Sequence, residues 1–136
     1  MASLNQHVSV LSQALNLRTQ RHQVLASNIA NADTPHYKAR DFSFESAMQN
    51  AMAGRMSAGG VALARTASGH ISGGSSSGPA AVQFRKETQS AVDGNTVDMD
   101  VERAQIAENA LQYQILTQLI SDKFKGVRSA LASTSS

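Results

Sequence analysis

Residues 26–45, ASNIANADTPHYKARDFSFE, decide how the chain is organised. They begin as the last turns of a long amphipathic helix, break at Thr34-Pro35, and continue as an extended, mixed-charge segment carrying Phe42 and Phe44. Asn28 and Asn31 stand three positions apart, so on a helix they share one side. Asparagine is a modest helix former because its amide competes for nearby backbone groups. Two of them suit a helix terminus or a contact that needs direction. Pro35 has no N–H and drives Thr34 towards extended backbone, so the helix is expected to stop at or before Thr34. Taken alone, the stretch reads as a helix end followed by a turn.

Upstream, Leu4, Val8, Leu11, Leu15, Arg18, His22, Leu25, Ile29 and Ala32 recur at alternating spacings of four and three. That is the period of a coiled-coil seam, and it predicts a helix over residues 3–32, about 45 Å long, with Ser3 as N-cap. Arg18 and His22 interrupt the seam one turn apart. A polar pair there can fix register, but long stems more often run past an apolar stripe to water, and that is the expectation for both. His22 has no second metal-ligand residue at helical spacing.

Downstream, residues 37–44 read as a short extended piece, with Phe42 and Phe44 on one side. A short helix is expected over 43–56, with Phe44, Met48 and Met52 on one face and the methionines as adaptable packing. From 54 to 94 Gly, Ser and Ala dominate, with GGSSSGP at 73–79. Two short apolar runs, 61–63 and 82–84, are placed to pair as a small hairpin around a flexible tip at 68–81. Asp93-Gly94-Asn95 is a turn signal. Asp98 is the expected N-cap of a second long helix, with Asp100 and Glu102 at its positive start and Lys123, Lys125 and Arg128 towards its negative end. Ile106, Ala110, Tyr113, Thr117, Ile120, Phe124, Val127 and Leu131 repeat the four-three spacing. Leu111, Ile115, Leu116 and Leu119 widen the apolar face beyond what one neighbouring helix covers.

At 136 residues the chain has one domain's length, yet Leu, Ile, Val and Phe together make up only about a fifth of it, close to the level at which a core becomes hard to build. There is no tryptophan, and a deep core is not expected. Burial should depend on neighbours. Acids and bases nearly balance at a net charge of +2, and Asp33, Asp41 and Glu45 interrupt the basic residues Arg18, Arg21, Lys38 and Arg40. A nucleic-acid binder would carry a basic stripe with interleaved aromatics. The absence of cysteine excludes disulfides and thiolate chemistry. No charged start followed by an apolar run and a small-residue cleavage site is visible, and no stretch approaches a membrane span.

The run from Asn28 to Pro35, followed by Tyr37-Lys38-Ala39-Arg40-Asp41, resembles the N-terminal signature of the flagellar rod and hook axial family. The Tyr-x-Ala-Arg-Asp continuation is that of its proximal-rod members. Asn95-x-Val97-Asp98-x-Asp100 and Ala107-Glu108-Asn109-x-Leu111-x-Tyr113-Gln114 resemble the C-terminal signature of the same family. One position departs: His36 stands where the family has Gly, so the turn either changes geometry or accepts a left-handed histidine. The resemblance implies a structural subunit of the proximal rod of the bacterial flagellar basal body. Its terminal helices would line a helical tube that encloses the export channel and transmits torque. It implies self-association, contact with the next proximal rod subunit and with an adaptor at the membrane-ring base, and passage through the flagellar type III export apparatus without a cleaved signal peptide, into the periplasmic space.

The chemistry of an enzyme is missing from the sequence. The glycine clusters lack a phosphate-loop context, the histidines lack ligand spacing, and the serines lie outside any nucleophile elbow. No catalytic residue, metal ligand or cofactor is expected. The expected fold is mainly α: two long amphipathic helices packed as an antiparallel coiled-coil-like pair, residues 1–34 and 97–136, joined by a middle of 35–96. Asn28, Ile29, Asn31, Thr34, Pro35, Tyr37, Ile106, Ala110, Tyr113, Ile120 and Phe124 are the expected polymerisation surface, with the asparagines bonding between subunits. The alternatives are another rod or axial paralogue or a secreted helical adaptor, and, more remotely, a small coiled-coil nucleic-acid binder using Arg18, Arg21, Lys38 and Arg40.

Overall fold

The computed structural model describes residues 4–53, 80–86 and 92–133. The elements in chain order are α1 (Leu4–Ala30), β1 (Arg40–Asp41), α2 (Phe44–Met52), β2 (Gln83–Phe84) and α3 (Met99–Ser133). The two long helices expected near the chain ends are present. Asn28 bonds Glu102 while Arg18 bonds Asn109, so residue numbers rise along α1 as they fall along α3. The pair is antiparallel.

The local signals act much as their chemistry requires. The helical run of α1 ends at Ala30, and Thr34 N–H then bonds the Asn31 carbonyl at 3.1 Å in the turn before Pro35. A helix end leaves its last carbonyls without internal partners. Asn95 meets carbonyls released there: its amide nitrogen divides two N–H groups among Asn31 O, Ala32 O and Thr34 O at 2.8–2.9 Å. Asp98 caps α3, its carboxylate accepting from Asp100 and Val101 N–H at 3.0 and 3.3 Å. Ser43 caps α2. The helix expected to reach Met56 stops at Met52, with Ala53 as its cap; residues 54–56 and Ser3 lie outside the described residues.

The described residues hold one small antiparallel sheet. β2 pairs antiparallel with β1, Arg40 opposite Phe84 and Asp41 opposite Gln83. Residues 61–63, its expected partner, lie outside the described residues. Arg85 N–H extends the ribbon to Ala39 O at 2.8 Å. Two-residue strands hold little energy alone, and this pair is fixed by what its side chains reach.

The apolar core is small: Leu17, Phe42, Ala47 and Ala80, with Val24, Phe44 and Met48 against it. It lies between α1 and the α2–ribbon layer rather than between the long helices. Between α1 and α3 the burial is largely polar instead: Arg18, Asn28, Glu102 and Asn109 are buried there, with Leu25 and Ala14 on the same stripe of α1 as Arg18 and Asn28. The inward side of α3 runs Glu102, Gln105, Asn109, Gln112, Leu116, buried or half-buried at alternating spacings of three and four. The stripe expected to face α1 is therefore rotated outward, by about 60° at 100° per residue. Ile106 and Ile120 are half-buried, while Ala110, Tyr113, Thr117 and Phe124 are exposed. The cause is partner chemistry: buried polar groups need hydrogen bonds, and α1 with the ribbon supplies them to the polar side of α3.

The polar seam and the apolar surface outside it

Asn28 sits in the last turn of α1 and is fully buried. Its oxygen accepts from Arg40 N–H at 2.9 Å and from the Tyr37 hydroxyl at 3.4 Å. Its nitrogen donates to Arg40 O at 2.6 Å and to Glu102 Oε2 at 3.2 Å. An amide offers both donors and acceptors, and here the Arg40 peptide is read on both sides. The directional bonds expected of Asn28 between subunits are thus made inside its own chain. Asn31 also bonds locally, donating to Ser27 O at 2.8 Å and accepting from the Thr34 hydroxyl at 3.1 Å.

Around Asn28 the seam carries a four-charge network. Arg21 forks onto Asp41 with both bonds at 3.0 Å and also donates to Gln105. Arg85 donates to Asp41 Oδ2 at 3.1 Å and to Glu102 Oε1. Residues of α1, β1, the β2 end and α3 therefore share one cluster. Burial works to push the Asp41 carboxyl up, but hydrogen bonds from Arg21, Phe42 N–H and Arg85, with the Arg21 charge, hold it below its ordinary range. The bond to Asp41 is the main cause that raises Arg21.

Arg18, expected to reach water, is buried instead. Its guanidinium carbon lies 3.6 Å from the centroid of the Phe44 ring, and one nitrogen is 3.5 Å from Asn109 Oδ1. Asn109 returns a 2.9 Å bond to Arg18 O. A ring face and an amide replace the water that an arginine head normally seeks. Burial, then the Arg21 charge, lowers its pKa, with Glu108 opposing. His22 does stay exposed. Of the expected basic group, Arg18 and Arg21 are turned inward; Lys38 and Arg40 are on the surface.

The turn at His36 accepts strain rather than changing form: its φ is +60°, the left-handed region. Its N–H bonds Asp93 O at 3.0 Å, and Gly94, itself at φ +73°, comes so close that a Cβ there would lie 2.8 Å from His36 Nδ1. Thr34 and Pro35 are exposed beside it, and Tyr37 and Ile29 are half-buried.

Sequence reasoning missed the roles of Arg85, Glu102 and Asn109. In the sequence Glu102 signals only a favourable charge at a helix start, and Arg85 borders a Gly/Ser-rich tract with no periodic signal. The three-four spacing of Glu102, Gln105, Asn109 and Gln112 was the available sign that the seam is polar.

Outside the seam, α3 exposes large apolar groups: Leu111 at 59%, Ile115 at 51%, Leu119 at 46% and Phe124 at 56%. A groove of about 350 Å3 runs along one side of the helix pair, lined by Arg18, Thr19, His22, Asn109, Ala110, Tyr113 and Gln114. Among the described residues no acidic, histidine or cysteine cluster could hold a metal ion, and no helix is long and apolar enough to cross a membrane.

Comparison with known proteins adds the following. The family model described as flagella basal body rod protein matches residues 9–38. The flagellar basal body rod protein FlgB of Salmonella typhimurium is 49% identical over 121 residues, 88% of each chain. That of Escherichia coli K12 is 49% identical over 123 residues, 89% of each chain. That of Cereibacter sphaeroides is 37% identical over 131 residues, covering 96% of this chain and 98% of the relative.

Proposed function

The chain belongs to the FlgB family of flagellar basal-body rod proteins, a structural subunit of that rod that associates with other rod proteins, and we propose that it polymerises into a helical tube which encloses the export channel and transmits torque. One observation carries this reading. The polar side of α3 is used up inside the subunit, and its apolar side is left outside. A monomer has no reason to expose four large apolar groups along one helix, whereas a polymer buries them. Ile106, Ala110, Tyr113, Ile120 and Phe124 would form contacts between copies, with Ile29, Asn31, Thr34, Pro35 and Tyr37 at the turn meeting a neighbour. Asn28 acts one step behind, by holding that turn in shape. The chain would reach the periplasmic space through the flagellar export apparatus, uncleaved, and the copies nearest the membrane ring would meet its adaptor. No catalysis and no nucleic acid enter this function.

The test is deletion of the chain from its flagellated host, followed by electron microscopy of purified basal bodies. Rings without rod or hook, restored by the gene in trans, are the expected result. Intact basal bodies with normal hooks would overturn the reading.

A further inference from the structure

The β1–β2 ribbon leaves one edge and one face open. Arg85 N–H bonds Ala39 O, and Arg40 stands opposite Phe84 in the same register. Bonded and non-bonded positions alternate in an antiparallel pair, so the N–H and C=O of Arg40 and of Phe84 point away from the ribbon. Asn28 takes both groups of Arg40. Among the described residues no group takes those of Phe84, and β2 presents an unpaired edge.

The open face is graded. Side chains alternate along a strand, and Asp41 and Arg85 turn into the seam. The other face therefore carries Phe42, Arg40 and Lys38 from one strand. Continuing the register sets Val82, Phe84 and Lys86 across from them. At one end Phe42 and Val82 line a cavity of about 260 Å3 against α1. In the middle Phe84 is 74% exposed beside Arg40. At the other end Lys38 and Lys86 are exposed, with His36 beyond them. The exposed acids Asp33 and Asp93 belong to the turn around His36; among the described residues the ribbon offers no acid on this side.

We propose that β2 takes an extended acidic segment of another protein as a third strand. The backbone of that segment pairs with Phe84, its apolar side chains cover Val82 and Phe84, and its carboxylates meet Lys38, Arg40 and Lys86. An open edge alone accepts any extended chain, whereas the cations reject basic segments and select acidic ones. None of these residues is among those assigned above to contacts between copies.

The probe is a fluorescent, end-capped peptide with threonine at every second position. The positions between are leucine in one half and glutamate in the other. Its anisotropy is titrated with the intact chain. Saturable binding is expected, weakened about tenfold by Lys38→Glu/Lys86→Glu and falling as salt is raised. Phe84→Ala, a change at an exposed position, should weaken it too without altering the melting temperature. A peptide with lysine in place of glutamate should not bind, and nor should one whose backbone amides are methylated. No binding of the glutamate peptide would overturn the proposal, as would equal binding of the lysine peptide or indifference to the lysine reversals. Binding seen only in Val61→Asp/Leu63→Asp would show that the chain's own 61–63 run holds the edge, and would overturn it as well. Tighter, equally charge-sensitive binding to single-stranded DNA or to phosphatidylglycerol vesicles would assign the face to nucleic acid or lipid instead.

Discussion

Asn28 joins three pieces of chain through one side chain: the end of α1, the peptide of Arg40 and the carboxylate of Glu102. Asn28→Ala leaves the Arg40 peptide and Glu102 short of partners in a buried site. It should lower unfolding free energy by about 2–3 kcal/mol in urea denaturation, whereas Asn31→Ala, whose bonds are local, should cost under about 1 kcal/mol. A similar cost for both would mean that burial of Asn28 is not what matters. His36 and Gly94 offer a second test, because each constrains the other. Gly94→Ala faces both a left-handed backbone and the His36 ring, and should destabilise by about 1–3 kcal/mol. His36→Gly removes the ring and the strain at position 36. In a double-mutant cycle it should recover part of the Gly94→Ala loss, and strictly additive values would contradict the close approach.

The elements are held by a polar seam more than by an apolar one. Arg85 is the only charged side chain from the β2 end that reaches α3 among the described residues, and its loss leaves the buried Glu102 with Asn28 alone. Arg85→Met should therefore cost about 3 kcal/mol and loosen the ribbon, measured by thermal melting and by faster amide exchange at Ala39. Asp41 gives the seam a pH dependence. Its folded pKa lies below its unfolded one, so its contribution is complete above about pH 4 and is lost as pH falls through the folded value. Asp41→Asn should flatten the acid limb of the stability curve, and an unchanged limb would contradict the assignment. Much of this scale was legible in the sequence. Pro35, Asp98 and the four-three spacing located both long helices, because caps and periodicity are local. The rotation of α3 was legible only in the polar spacing of Glu102, Gln105, Asn109 and Gln112, since an apolar stripe says where burial is wanted and not whether the partner is in the same chain. The β1–β2 pairing was not legible, because two-residue strands carry no alternation to read.

The whole molecule combines a small core with long helices that keep apolar groups outside. Leu17, Leu25 and Phe42 are the large apolar residues buried among the described ones, each contributing about 1.5–3 kcal/mol on burial, so the subunit is expected to be only modestly stable alone. Of the surplus apolar face expected from the sequence, Leu111, Ile115 and Leu119 are left open while Leu116 turns inward, and burial of the open groups in the rod is the proposal to test. The most direct measurement of that claim is maleimide labelling of Leu119→Cys and Phe124→Cys in the free chain and in purified basal bodies. Rapid labelling of the free chain and strong protection in the assembled rod are expected. Equal labelling in both would place the apolar face of α3 on the outside of the rod and contradict the account.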